Sequence, residues 1–223
     1  NPHRPMAYAT LDRYAPARDA LLWGALLFNT GLLLAAVYFV FTDATLLDPR
    51  FTLYGIVWVT VGALVLRLTD LPAAPASTRR RALAVAVGYF GLLAVAGGLV
   101  SAAPPGGGMG LRIAWLPPGW GPALLYSGEL VNVTLMPARV IGYLALAYLV
   151  YATVLDAAGA AAPGLLGLLS CVSCSWPILA SLATGVFGSG TALAAATTAL
   201  SYDISTAVFL ITVGLLYWRP LAR

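Results

Sequence analysis

The chain has 223 residues, of which 61% are hydrophobic and only 9% are charged. Soluble domains usually carry about 25% charged residues, so this composition excludes a water-soluble enzyme and favours an integral membrane protein. All 12 basic residues are arginine, and the net charge of +4 does not indicate a nucleic-acid partner. Because the chain has no lysine, it lacks the phosphate-binding loop GxxxxGK[ST], and we expect no nucleotide partner.

Six stretches of the sequence are long and apolar enough to cross the hydrocarbon core of a bilayer, which requires roughly 20 residues of helix. These predicted spans cover residues 19–42, 51–68, 82–103, 135–155, 163–187 and 191–218. They show no sustained alternation of apolar and polar residues, which argues against barrel strands. We therefore predict an all-α, polytopic protein that forms a single transmembrane helical domain over residues 1–223.

The distribution of arginine predicts the orientation of the six spans. Nine arginines fall on one side, namely Arg4, Arg13, Arg18, Arg67, Arg79, Arg80, Arg81, Arg219 and Arg223. The positive-inside rule then places both termini in the cytoplasm of a multi-pass protein of the cell membrane. The long connection at 104–134 becomes an external loop, and its aromatic side chains (Trp115, Trp120 and Tyr126) suit the headgroup level.

The fifth predicted span contains the only two cysteines of the chain, Cys171 and Cys174, followed by Pro177. Residues three apart share a helix face, and a proline inside a helix frees a backbone carbonyl and kinks the helix. Two thiolates in such an opening suit Cu(I) or a dithiol–disulfide cycle. Inert packing is the alternative, since buried cysteine behaves as a small hydrophobe.

Asp203 is the second candidate site residue, since it lies in the middle of the sixth predicted span. A carboxylate at this depth costs at least about 2.5–3.5 kcal/mol and usually faces a partner or water. A break at residues 200–202 would instead leave Asp203 as the cap of a second helix.

Arg139 is the third candidate, one turn into the fourth predicted span. Its side chain either extends to the outer surface or pairs with Asp203 or Glu129.

Two resemblances bear on function. The segment 169–179, with Cys171, Cys174 and Pro177, resembles the Cys-x-x-Pro signature of membrane thiol-reductant carriers of cytochrome c biogenesis and of mercuric-ion transport proteins. The region from Trp115-Leu-Pro-Pro-Gly-Trp-Gly-Pro122 to Trp218-Arg-Pro220 resembles an uncharacterised multispan family of halophilic archaea. That second resemblance implies an association with haem–copper terminal oxidases of the aerobic respiratory chain.

These observations support three hypotheses about function. The first is an accessory subunit or assembly factor of a respiratory oxidase, in which the thiol pair handles Cu(I) or reductant and the spans pack against other membrane subunits. The second is a small transporter or channel for a metal ion or small solute, with Asp203 on its route. The third is an intramembrane thiol–disulfide oxidoreductase. The single histidine, His3, precedes the first span, so no Ser-His-Asp set is available, and we expect no catalytic activity in the first two cases.

Overall fold

A computed structural model describes residues 18–42, 49–103, 109–159 and 192–218. Within these residues the chain forms five helices and four strands. The helices are α1 (Arg18–Phe41), α2 (Pro49–Leu68), α3 (Ala76–Ala96), α4 (Pro137–Gly159) and α5 (Ala192–Trp218). The strands are β1 (Val100–Ala102), β2 (Gly110–Ala114), β3 (Ala123–Ser127) and β4 (Val131–Leu135).

The helices form a bundle with two chemically different ends. At one end, the guanidinium of Arg67, near the C-terminus of α2, lies 4.0 Å from the ring centroid of Trp23 near the start of α1. Arg79, Arg80 and Arg81 lie in the first turns of α3, and the antiparallel order of α1 to α3 brings them to this same arginine-rich end. The four strands occupy the opposite end, which we call the sheet end.

Three of the described helices are long and apolar enough to span a membrane, which is consistent with a membrane protein: Arg18–Phe41, Pro49–Leu68 and Pro137–Asp156. In α3, every 18-residue stretch includes Arg79, Arg80 and Arg81, so its hydropathy is too low. In α5, the apolar stretch among the residues whose side chains are described is Ser205–Tyr217, which is shorter than a span. The prediction of six transmembrane helices is therefore wrong for the part of the chain described, and the predicted span at 163–187 lies outside it.

The prediction of an all-α fold is wrong because β1 to β4 form a four-stranded antiparallel sheet, in the order β1-β4-β3-β2. The sheet extends the antiparallel pair α3 and α4, since β1 begins shortly after Ala96 and β4 ends just before Pro137. Proline and glycine around these strands favour a loop in the sequence. However, the strands are only three to five residues long, too short to stand out in a sequence dominated by apolar helices.

The core of the bundle lies around α4, which packs against α2, α3 and α5. One face of α4 is completely buried, and its residues are Ala138, Ala145, Leu149 and Ala152. The three alanines let neighbouring helices approach closely, which is how helices pack where lipid removes the hydrophobic driving force. Bulky side chains from the other helices, including Trp58 and Phe209, fill the remaining space.

Candidate functional site

Asp203 lies at the sheet end of the bundle, at the level of the first turns of α2. The Tyr54 hydroxyl donates a hydrogen bond to Asp203 Oδ1, and Arg50 Nη1 lies 3.9 Å from Asp203 Oδ2. The carboxylate thus lies next to the start of α2, and its side chain is 31% exposed. Helix α5 runs unbroken from Ala192 to Trp218, so Asp203 does not cap a second helix.

Arg139 is held by the C-terminal end of α3. Its Nη1 donates a hydrogen bond of 2.8 Å to the carbonyl oxygen of Gly97, the residue directly after the end of α3. Carbonyls at a helix C-terminus lack helical partners and carry partial negative charge, so a guanidinium there is favourable. The same guanidinium lies 5.9 Å from the Trp120 ring centroid. Arg139 therefore joins α3, α4 and the β2–β3 connection.

An aromatic cluster centred on Trp58 lies beside these two polar groups. The Trp58 ring stacks on Phe209 with centroids 4.2 Å apart, and the ring centroids of Trp120 and Tyr143 lie 6.1 and 6.0 Å away. Trp58 Nε1 donates a hydrogen bond of 3.1 Å to Thr206 Oγ1. Since a buried indole N–H needs a partner, Thr206 fixes the ring orientation. The cluster packs α2, α4, α5 and the β2–β3 connection against one another.

The sheet is attached to the bundle by the β2–β3 connection. Trp120 Nε1 donates a hydrogen bond of 2.6 Å to the carbonyl oxygen of Phe51, and the backbone N–H of Ala138 donates one of 3.0 Å to the carbonyl oxygen of Gly119. Gly119 has a φ of +90°, and a side chain there would collide with the backbone of Gly55. Glycine is therefore required where the connection crosses α2. The Trp120 indole is buried in the core of the bundle.

One face of the sheet is apolar and exposed. The register sets Leu111 opposite Tyr126 and Ile113 opposite Leu124, and β4 continues this face with Val133 and Leu135. We call this set the apolar sheet face; Met109 and Trp115 extend it by the same two-residue period. Its four β2-side residues are 60–70% exposed: Met109, Leu111, Ile113 and Trp115.

The opposite face of the sheet is more polar and carries Arg112, Ser127, Asn132 and Thr134. The alternation Met-Gly-Leu-Arg-Ile-Ala-Trp over residues 109–115 is the sequence signal that the prediction of a loop overlooked. A large exposed apolar patch is a common mark of an interaction surface.

The predicted thiol site lies outside the described residues, since Cys171, Cys174 and Pro177 fall within 160–191. Among residues 18–42, 49–103, 109–159 and 192–218, no group of three or more His, Cys, Asp or Glu side chains is placed to hold a metal ion. What the described residues bring together at the sheet end is an ion pair, an aromatic cluster and an exposed apolar surface. This arrangement suits binding to another molecule.

A family of unknown function (DUF7546) matches residues 5–223, which is nearly the whole chain. Neither the curated proteins nor the solved structures gave a match to this chain.

Proposed function

We propose that this chain, which belongs to the DUF7546 family of unknown function, is an accessory subunit or assembly factor of an aerobic respiratory complex with a haem–copper oxidase. The observation that carries the accessory role is the apolar sheet face. The identity of the complex depends on the resemblance of the region from Trp115 to Pro220 to a family associated with these oxidases.

The apolar sheet face supports binding to a partner protein because of its position. The sheet continues the α3–α4 pair beyond the ends of these helices, so it extends away from the apolar part of the bundle. The sheet is held in place by hydrogen bonds and packing within the described chain. Even so, Leu111, Ile113 and Trp115 are at least 60% exposed. Aromatic residues and methionine are enriched at protein interfaces, and this face contains Trp115, Tyr126 and Met109. A membrane-anchored chain with such a surface is suited to hold another subunit.

The orientation that fits this role places the arginine-rich end in the cytoplasm of the cell membrane and the sheet end outside. The positive-inside rule supports it, because the described arginines Arg18, Arg67 and Arg79–Arg81 share one end. Both the start of α1 and the end of α5 then lie on the cytoplasmic side.

The thiol pair enters the proposal as a function of Cys171 and Cys174 within the complex. In this proposal the two thiolates handle Cu(I) or reductant for the oxidase. Replacing both cysteines by serine is expected to lower the copper content of the purified oxidase. An unchanged copper content would contradict this part of the proposal and leave the accessory role unaffected.

The two alternative functions have less support. The transporter hypothesis needs a carboxylate at mid-membrane, but Asp203 is paired with Tyr54 and Arg50 in the first turns of α2. The oxidoreductase hypothesis depends on Cys171 and Cys174 alone, and no described residue adds to it.

The experiment that tests the accessory role is purification of the natural protein after mild detergent extraction. We expect haem- and copper-containing subunits to copurify. The double variant Leu111→Ser/Ile113→Ser is expected to lose these subunits, because it places polar groups on the apolar sheet face. The variant Arg112→Ser is the control, since it changes the same strand on the opposite face. If the wild-type chain purifies without haem and copper subunits, the proposal is wrong.

A further inference from the structure

Helix α1 is the outermost helix of the described bundle, and it packs on α2 through one face only. Added side chains at Gly24 and Gly31 would contact Leu64 and Ile56 of α2, and Ala35 on the same face is 5% exposed. These small residues allow the two helices to lie close together. The rest of the helix surface is not covered by any residue that the structure describes, although α1 is long enough to span the membrane.

The face of α1 opposite to α2 has a regular pattern. Its residues are Leu22, Leu26, Asn29, Leu33, Ala36 and Val40, and we call this set the Asn29 seam. The spacing alternates between four and three residues, which is the a/d pattern of a coiled coil. All six residues are exposed. The exposed fractions of the four large side chains range from 56 to 80%: Leu22, Leu26, Leu33 and Val40.

Asn29 is the polar member of the seam and lies at the middle of the 24-residue helix α1. Its Nδ2 donates a hydrogen bond of 2.7 Å to the carbonyl oxygen of Ala25, which uses one of the two N–H groups of the amide. The second N–H and the carbonyl oxygen are available to bond across an interface. A polar side chain facing hydrocarbon is unfavourable, and such side chains stabilise helix pairs by bonding across them.

We propose that the Asn29 seam pairs with the same seam of a second copy of this chain, in a parallel two-fold helix dimer. The choice of a second copy follows from depth and chemistry. Two copies with the same orientation in a membrane are related by an axis along the membrane normal, so each residue meets its own equivalent at the same depth. An amide is both donor and acceptor and thus pairs with another amide.

The heptad pattern makes the interface specific. An a/d seam predicts left-handed supercoiling of two helices. Asn29 follows Leu26 by three residues and precedes Leu33 by four, which places it at a d position, and bonding between the two amides favours the register in which they face each other. From Leu22 to Val40 the seam extends about 27 Å at about 1.5 Å per residue, which is most of the membrane thickness. The dimer does not depend on the proposed accessory role, since that role uses the apolar sheet face at the end of the bundle.

Cysteine cross-linking in liposomes tests the geometry. In a Cys171→Ser/Cys174→Ser background we compare Leu33→Cys with Leu34→Cys. The two leucines are 65% and 63% exposed and differ in depth by about 1.5 Å, but they point about 100° apart around the helix. Leu33→Cys is expected to give disulfide-linked dimers and Leu34→Cys is not. Equal cross-linking at both positions, or none at either, would overturn the proposal.

A second measurement tests the role of the amide without added cysteines. Dimer dissociation of otherwise wild-type protein is followed by fluorescence transfer between labelled copies in liposomes. Asn29→Val is expected to raise the dissociation constant about 3- to 30-fold, the range that membrane hydrogen bonds of this kind support. Thr30→Val is the control, because Thr30 is exposed on a different face and its loss should leave the constant unchanged. A monomeric wild-type chain, or an effect of Thr30→Val equal to that of Asn29→Val, would contradict the dimer.

Discussion

The rings of Trp58 and Phe209 stack with centroids 4.2 Å apart and planes 12° apart, and this contact joins α2 to α5. The two residues lie 151 positions apart in the sequence. Because Trp58 also contacts Trp120 and Tyr143, the stack is the centre of the packing that connects the helices with the β2–β3 connection. The stability of the sheet end should therefore depend on this pair.

Phe209→Ala, which truncates the stack, is expected to destabilise the whole bundle. Phe209 is 2% exposed, and Phe→Ala in a core costs roughly 3–5 kcal/mol. We expect a value at the lower end, because lipid is as apolar as the helix interior and part of the transfer term is lost. The measurement is the free energy of unfolding in detergent, followed by tryptophan fluorescence. Leu210→Ala is the control, since Leu210 is 40% exposed, and an equal loss in both variants would contradict the role of the stack.

Trp120→Phe is expected to loosen the sheet from the bundle while the helices remain packed. The change keeps an aromatic ring but removes the hydrogen bond from Nε1 to the carbonyl oxygen of Phe51, and loss of one such buried bond costs about 1–3 kcal/mol. Limited proteolysis within residues 100–135 should become faster. Trp115→Phe is the matched control, because Trp115 is 68% exposed. Unchanged cleavage in Trp120→Phe would show that other contacts hold the sheet.

Gly97→Ala should lower the free energy of unfolding, whereas Gly88→Ala should raise it. A Cβ at Gly97 would overlap the Tyr143 hydroxyl, whereas nothing lies within 4 Å of a Cβ at Gly88. Overpacking typically costs about 1–3 kcal/mol, while Gly→Ala inside an open helix gains up to about 1 kcal/mol. Unfolding in detergent measures both.

The added variant Tyr143→Phe provides the internal test of the Gly97 contact. It removes the hydroxyl oxygen, the nearest atom that the new Cβ would meet, but keeps the two ring carbons that lie next closest, so it should recover only part of the loss in Gly97→Ala. A double-mutant cycle with no coupling would mean that the loss has another origin.

The sequence predicts the helices more reliably than it predicts how they are positioned relative to one another. The predicted spans 19–42 and 51–68 agree within two residues with Arg18–Phe41 and Pro49–Leu68, because a long apolar stretch determines a helix by itself. The sequence predicts Asp203 at mid-membrane because it lies in the middle of an apolar stretch. Its place beside the start of α2 is set by contacts of α5 with Tyr54 and Arg50, which are about 150 residues away in the sequence and leave no local pattern.

The strands of the sheet are not predicted from the sequence, for a different physical reason. Its strands are stabilised by hydrogen bonds between segments such as β1 and β4, which pair Val100 with Val133. Proline and glycine density around residues 104–122 indicates where helices end but does not reveal the strands between them. The exposure of Leu111 and Ile113 is also unexpected, since apolar residues are usually assigned to a core. The alternation over residues 109–115 indicates one strand, but only the strand register shows that side chains of β3 and β4 share its apolar face.

Replacement of Asp203 by asparagine is expected to change stability little. The Arg50 side chain is 63% exposed and lies 3.9 Å from the carboxylate, and ion pairs in such surroundings contribute about 0–1 kcal/mol. The amide oxygen of asparagine still accepts the hydrogen bond from the Tyr54 hydroxyl. We expect a fall in the free energy of unfolding of at most about 1 kcal/mol, while Asp203→Leu, which also removes the acceptor, should cost more. A large loss in Asp203→Asn would show that the charge itself is essential.

The orientation of the bundle can be measured directly with two single cysteines. In a Cys171→Ser/Cys174→Ser background, Ser77→Cys lies at the arginine-rich end, two residues before Arg79, and Met109→Cys lies at the tip of the apolar sheet face. Both positions are exposed. In intact cells, an impermeant maleimide should label Met109→Cys only, because the positive-inside rule keeps arginine-rich ends in the cytoplasm. After permeabilisation both should react. Labelling of Ser77→Cys in intact cells would invert the bundle and place the apolar sheet face inside, where it would need a cytoplasmic partner.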